Sequence, residues 1–424
     1  MPTFRQRMRR IALVEQLGPG LVTGAADDDP SGIATYSQAG AQFGYGLLWT
    51  LLLTYPLMVA IQLVSAQIGR VTGCGLAKNM KDILPGWIVT SLVGLLFVAN
   101  TINIGADLAA MGEAGSLAMG KGSHVLTLSF AVFSLLLQAF VSYKRYANFL
   151  KWLTLVLLAY VAVLLTLHVD WLAALRGLAW PQGKIDSPMA TTVVAIFGTT
   201  ISPYMFFWQS AQEVEEVAQD PKAKALVEAP KQAPKAFARI KLDTTLGMAA
   251  SNLIAIAIIL STAATLHAAG KTNIQTAADA ARALEPLAGN FAFILFSLGI
   301  IGTGLLAIPV LAGSAAYAVG ESRGWKCGLD HKPWEAVGFY GVIAVSTALG
   351  LLIDYAGLSP IKALFWSAVI NGVIAVPIMA AMMIVVSHRK QMRKFTAGWT
   401  LRAFGWTTTA VMAAATILMA VTSV

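Results

Sequence analysis

Apolar runs long enough to cross a bilayer recur along nearly the whole chain, with short polar segments between them. A membrane-spanning helix needs about 20 mostly apolar residues to cross a hydrocarbon layer about 30 Å thick. Eleven runs meet that need, at residues 11–45, 47–69, 87–118, 124–142, 148–168, 189–217, 242–267, 287–318, 335–353, 359–387 and 401–422. The pattern predicts an all-α polytopic membrane protein, with residues 1–424 forming one transmembrane domain. The first run is too long for a single straight crossing. The longest polar gap, about 212–241, is rich in Ala, Lys, Glu and Pro. Part of it is expected to extend the sixth span into the cytoplasm, with Glu213, Glu215 and Glu216 as a solvated helix end.

Composition removes the soluble alternatives. Of 424 residues, 57% are hydrophobic and 12% charged, whereas soluble domains carry about a quarter charged residues. The formal net charge of +9 does not signal nucleic acid, because the charges sit in the gaps and not on one basic face. With the N-terminus placed inside, 24 of the 30 lysines and arginines fall in cytoplasmic segments. Only Lys121, Arg176, Lys184, Lys271, Arg282 and Lys362 fall outside. That asymmetry follows the positive-inside bias and predicts a cytoplasmic N-terminus and an external C-terminus. Cys74 and Cys327 fall in cytoplasmic gaps with no disulfide framework or metal–thiolate spacing. The N-terminal FRQRMRR and the apolar run behind it mimic a signal peptide. That run has no small-residue cleavage site, so it is read as the first span.

Two spans are broken by polar and helix-breaking residues. The first carries Asp27-Asp28-Asp29-Pro30-Ser31-Gly32, and the sixth carries Gly198-Thr199-Thr200-Ile201-Ser202-Pro203-Tyr204. Five spans apart, the two cross in opposite directions. Interrupted spans in corresponding positions point to an inverted-repeat transporter of the LeuT type. The repeats are then five helices plus five, 11–168 and 189–387, with 401–422 as an extra eleventh helix. Each break frees backbone groups near the midplane, where only protein or a water-filled cavity can satisfy them.

Three consecutive carboxylates inside a span are the strongest chemical signal. Each costs about 2.5–3.5 kcal/mol at a helix centre on insertion scales, and a cation offsets that most directly. Asp29 before Pro30 is also a good N-cap followed by a good first helical residue. Capping and facing an ion are compatible at an unwound break. Asp27 and Asp28 read equally well as vestibule, structural or ligating groups.

These motifs resemble those of the Nramp family of divalent-metal transporters. Asp29-Pro30-Ser31-Gly32 is similar to that family's Asp-Pro-Gly-Asn. Thr199-Thr200-Ile201-Ser202-Pro203-Tyr204 is similar to its Ala-Thr-Val-Met-Pro-His, and Asp107-Leu108-Ala109-Ala110 to its helix-three Asp-Leu-Ala-Glu. The resemblance implies a metal site of Asp29, the Thr199 carbonyl and the Ser202 hydroxyl, with Gly32 beside them, and Asn371, a polar residue mid-span in helix ten, reads as an outer-shell partner. Asp28, Asn103, Asp107 and Tyr204 are implied pathway residues. It implies residence in a prokaryotic inner membrane, with the lipid bilayer and a divalent cation as partners and no obligatory protein partner. It implies no cofactor, Mg²⁺ or Mn²⁺ being cargo.

Departures from the motifs refine this. Ser202 stands where the family has a methionine thioether, so a soft sulfur has become a hard oxygen. Gly32 stands where the family has asparagine, which removes a ligand and opens space. Mg²⁺ takes oxygen ligands and sheds water reluctantly, so an oxygen-only, roomier site suits it. The pattern looks like the Nramp-related magnesium transporter branch. A manganese site in which water replaces the lost ligands is the alternative reading of the same residues. Tyr204 and Ala110 replace a histidine and an acid of the proton path. Neither titrates near neutral pH, so proton coupling is expected to be weak or absent.

Other polar positions carry milder expectations. Asn371 lies six residues before Pro377 in the tenth span and either lines the pathway or bonds between helices. Asn100 and Asn103 are similar. Gly299, Gly302 and Gly304 imitate a dinucleotide loop but lie inside an apolar span, where they serve helix packing. His124, His168, His267, His331 and His388 stand at loop edges without metal-ligand spacing. The competing functions are a proton-coupled Mn²⁺/Fe²⁺ symporter of the same family and a sodium-coupled solute carrier of the same fold. An intramembrane enzyme would need a paired nucleophile and base within the spans, and none is found.

Overall fold

The structure, a computed structural model, describes residues 24, 26–120, 122–141, 155–184, 186–354, 357 and 359–423. The basic N-terminal segment, the start of the first run and the start of the fifth lie outside the described residues. The long helices are α1 (Pro30–Phe43), α2 (Leu48–Thr72), α3 (Gly86–Met119), α4 (Ser123–Phe140), α5 (Ser187–Thr200) and α6 (Pro203–Gln219). They continue as α7 (Ala233–Thr262), α8 (Ala292–Arg323), α9 (Val337–Asp354), α10 (Pro360–Ser387) and α11 (Trp399–Thr422). No strand occurs among the described residues. Nine helices among those residues are long and apolar enough to span a membrane. They coincide with nine of the eleven expected runs, and the two remaining runs are those that enter undescribed residues.

Local sequence explains most ends. Proline occupies the first turn of α1, α5, α6 and α10, where its missing N–H costs nothing. Asp186 caps α5 by accepting from the Met189 N–H at 3.0 Å. A left-handed Gly120 (φ 65°) closes α3, a conformation that only glycine adopts without steric cost.

The polar gap departs from the expectation in two ways. It extends not only the sixth span but chiefly the seventh, because α7 already begins at Ala233. Ala236 and Ile240 bury one side there while Lys235 and Lys241 stay exposed, so the amphipathic start continues the helix beyond the apolar run. The second correction concerns the acidic end of α6, which is not a solvated end. Glu213 is buried and paired with Arg239 of α7. Arg239 also reaches Glu216 at 2.7 Å. Glu215 accepts from the Tyr317 hydroxyl and from the Leu329 N–H, the latter at 2.9 Å. Burial of an acid is tolerated here because a guanidinium accompanies it.

Around this, α3 packs against α8, α9 and α10, while α2 packs on both α6 and α7. The short α1 lies between, touching α5, α7 and α10. Gly304 of α8 packs against Met111 and Pro30, which bears out helix packing for that glycine. α5 and α10 meet backbone to backbone: a Cβ on Gly198 would strike Ala368 and Gly372, and one on Gly372 would strike Val194. On the outside, α4, α9 and α11 expose Phe133, Leu136, Val345, Leu352 and Ile417. Such a continuous apolar exterior is a lipid-facing surface.

Candidate cation site at the two helix breaks

The first break is a capped helix start. Asp29 is extended (φ −70°, ψ 169°) and α1 begins at Pro30. One carboxylate oxygen, Oδ1, accepts from the Gly32 N–H and the Ser31 hydroxyl, both at 2.8 Å. The other, Oδ2, accepts from the Asn103 amide at 3.1 Å and keeps a lone pair. The capping role expected for Asp29 is therefore present, and it leaves one oxygen to face an ion.

The second break is shorter than the sequence motif. α5 ends at Thr200, Ile201 leaves helical geometry (φ −118°, ψ 59°), and Ser202 is extended before Pro203 opens α6. The Ser202 hydroxyl donates to the carbonyls of Gly198 at 2.7 Å and Thr199 at 2.9 Å. Its oxygen lone pairs remain for an acceptor role. The two breaks touch: the Thr199 hydroxyl lies 3.5 Å from that of Ser31. Tyr36 of α1 donates to the Thr200 hydroxyl at 3.1 Å. Tyr204 donates to the Ala26 carbonyl at 3.2 Å, so it ties the two breaks together.

Helices α3 and α10 complete the surroundings. Asn103 is a hub: its amide nitrogen donates to Asp29 and, at 3.2 Å, to Asp107. Its oxygen faces the Asn371 amide at 3.4 Å. Asp107 Oδ1 and Asn371 Oδ1 are buried with no partner. Asn100, by contrast, bonds to the Leu311 carbonyl and Ser314 of α8, both at 2.8 Å, which is the interhelical role. Asp28 turns away and shares Ser251 with Asp27. Thus Asp29, Gly32, Thr199, Ser202, Asn103, Asp107 and Asn371 gather in one buried region.

Some of this escapes the sequence. The Thr199 side chain faces the first break, and a Cβ on Gly32 would lie 3.2 Å from its hydroxyl and 3.4 Å from the Tyr36 ring. The room expected at Gly32 is therefore filled by those two side chains. Ser251 carries no local signal either, being one hydroxyl in an apolar run.

Chemically, the region offers oxygens and amides. Among the described residues no three His, Cys, Asp or Glu side chains converge to hold a metal. A site of one or two carboxylates with neutral oxygens binds weakly enough to release its ion. In the loops, burial pushes the Cys327 thiol up to about 12 and raises that of Cys74, which keeps both protonated.

The chain is 30% identical over 309 residues to the divalent metal cation transporter MntH of Yersinia pestis (strain Pestoides F), covering 72% of this chain and 71% of that one. It superposes on the Eremococcus coleocola manganese transporter, solved with an aromatic bis-isothiourea substituted compound, with a TM-score of 0.74 and 16% identity. That match covers 99% of this chain and 87% of that one. MhsT in complex with L-phenylalanine gives 0.58 at 14% identity, over 96% and 98%. The fold is the LeuT-type inverted repeat with first and sixth helices broken. The family model described as natural resistance-associated macrophage protein-like, Nramp, matches residues 20–422, and the chain belongs to that family.

Proposed function

We propose that this chain carries Mg²⁺ into the cell, with Mn²⁺ as a second cargo, by alternating access and without proton coupling. Family membership makes it a divalent metal cation transporter and not an enzyme, with the metal as cargo and not cofactor. The observation that carries the magnesium reading is the donor set. Asp29 Oδ2, the Ser202 and Thr199 oxygens and Asn371 Oδ1 supply hard ligands, and no thioether stands at the helix-six break. Mg²⁺ keeps several waters and takes few protein ligands, which suits one free carboxylate oxygen among neutral groups. This donor set supports placing the chain in the magnesium branch of the family.

In this reading 11–168 and 189–387 are the inverted repeats, and 401–422 is the added helix. The repeats rock about Asp29. Basic-residue bias supports a cytoplasmic N-terminus and an external C-terminus, and the likeness to bacterial MntH proteins supports residence in a prokaryotic inner membrane. With Tyr204 bonded to a carbonyl and Ala110 without a titratable group, membrane potential supplies the driving force. That is about 2.3 kcal/mol per charge per 100 mV. A second reading, proton-coupled Mn²⁺ symport, draws support from the Asp29–Asn103–Asp107 chain of bonds.

Proteoliposome uptake of Mg²⁺ and Mn²⁺ with simultaneous internal pH recording separates the two. Mg²⁺ uptake without acidification is expected. Mn²⁺ uptake that excludes Mg²⁺ and acidifies the lumen would overturn the magnesium reading in favour of the symporter.

A further inference from the structure

Asp27 and Asp28 take no part in the bonds that hold Asp29. They face α7 instead. The approach is close, since a Cβ on Gly24 would run into the backbone of Gly247. One turn further along, Ser251 of α7 meets both acids. Its hydroxyl oxygen lies 2.7 Å from Asp27 Oδ2 and 3.0 Å from Asp28 Oδ1. A serine hydroxyl has a single proton to give, so it satisfies one of these carboxylates at a time. Asp27 Oδ1 is buried with no partner. Among the described residues no lysine, arginine or histidine pairs with either acid. Thr244 lies two turns before Ser251 on the same face of α7, and its hydroxyl is also buried without a partner.

Buried carboxylates persist when a base, a full set of hydrogen bonds or a cation compensates them. Among the described residues the first is missing, and Ser251 brings one proton toward the second. We infer that Asp27, Asp28 and Ser251 form a second divalent-cation site, separate from the one at Asp29. The inference rests on the reading that the chain carries divalent cations. Two carboxylates and a hydroxyl neutralise one divalent ion with hard oxygen ligands only. Thr244 supplies the next oxygen toward the N-terminal end of α7. An ion in this second site repels one at Asp29, so double occupancy speeds release, as between adjacent sites in channels.

Mn²⁺ binding to the full-length purified protein in detergent, counted by electron paramagnetic resonance of the free ion, tests this. Two Mn²⁺ per chain are expected for wild type, one for Asp27→Asn/Asp28→Asn, and one for Asp29→Ala. Ser251→Ala keeps every carboxylate and guards against a misfolded double variant. It is expected to weaken one of the two sites about tenfold, the size of one lost polar contact, and to spare the other. A wild-type count of one that Asp29→Ala abolishes and Asp27→Asn/Asp28→Asn keeps would overturn the second site while leaving the cargo reading intact. Absence of both Mn²⁺ binding and metal uptake in wild type would overturn the cargo reading itself.

Discussion

A single carboxylate at the first break does two jobs, and substitution separates them. Asp29→Ala removes the free oxygen and the N-cap together, at a stability cost of about 1 kcal/mol for the cap. Asp29→Asn still caps, so it is expected to melt near wild type yet lose metal uptake, because no neutral group supplies the same Coulomb attraction. Asn-variant uptake at wild-type rates would remove Asp29 from the site. Ser202→Met returns a soft ligand and should raise Mn²⁺ or Cd²⁺ preference over Mg²⁺ on the order of tenfold, read by competition in liposomes. An unchanged ranking of ions would show that Ser202 does not set selectivity. At this scale the sequence was legible where chemistry is local. Asp29 before Pro30 and Ser202 before Pro203 announce a cap and a break within four residues. Asn103 was harder to place as a hub, since α3 is apolar almost throughout and its local pattern does not say which neighbour an amide faces.

Among elements, the join between α6 and α7 is the place where an acid is buried and paired. Arg239→Ala leaves Glu213 buried without its guanidinium, and breaking such pairs costs about 3–5 kcal/mol. The side chain of Arg239 is 23% exposed, which brings the expected loss toward about 2 kcal/mol. Thermal unfolding in detergent should show it, and adding Glu213→Gln should recover part of it. No recovery in the double variant would mean that Arg239 stabilises the join through packing alone. The run from 212 to 241 was misjudged because hydropathy marks where a helix meets lipid and not where the helix begins. Ala236, Phe237 and Ile240 bury one side of a helix whose other side is charged, and a window average cancels them. The long apolar helices were legible for the opposite reason, as lipid demands both length and uninterrupted hydrogen bonding.

For the whole molecule the energy source is the discriminating quantity. An inside-negative potential is expected to accelerate Mg²⁺ uptake several-fold, whereas a pH gradient alone drives no accumulation. Metal-dependent acidification abolished by Asp107→Asn would reverse that expectation and make the Asp29 and Asp107 carboxylates the proton route, with Asn103 holding them in place. Nine of the eleven spans and both break positions were legible across the molecule, because long apolar runs and helix breakers act over many residues. The meeting of Asp27 and Asp28 with Ser251 was not, since it joins positions more than 220 residues apart. The glycine contact between α5 and α10 has a mechanical consequence. Gly198 and Gly372 put no side chain of their own between the two backbones, so the seam beside Asn371 is a slip plane along which one helix can shift against the small cluster of Val194, Ala195, Ala368 and Val369. A methyl group there becomes a ratchet tooth. Gly372→Ala should cost about 1–3 kcal/mol by overpacking and slow turnover more than it weakens Mn²⁺ binding, because binding needs one position of the seam and transport needs at least two.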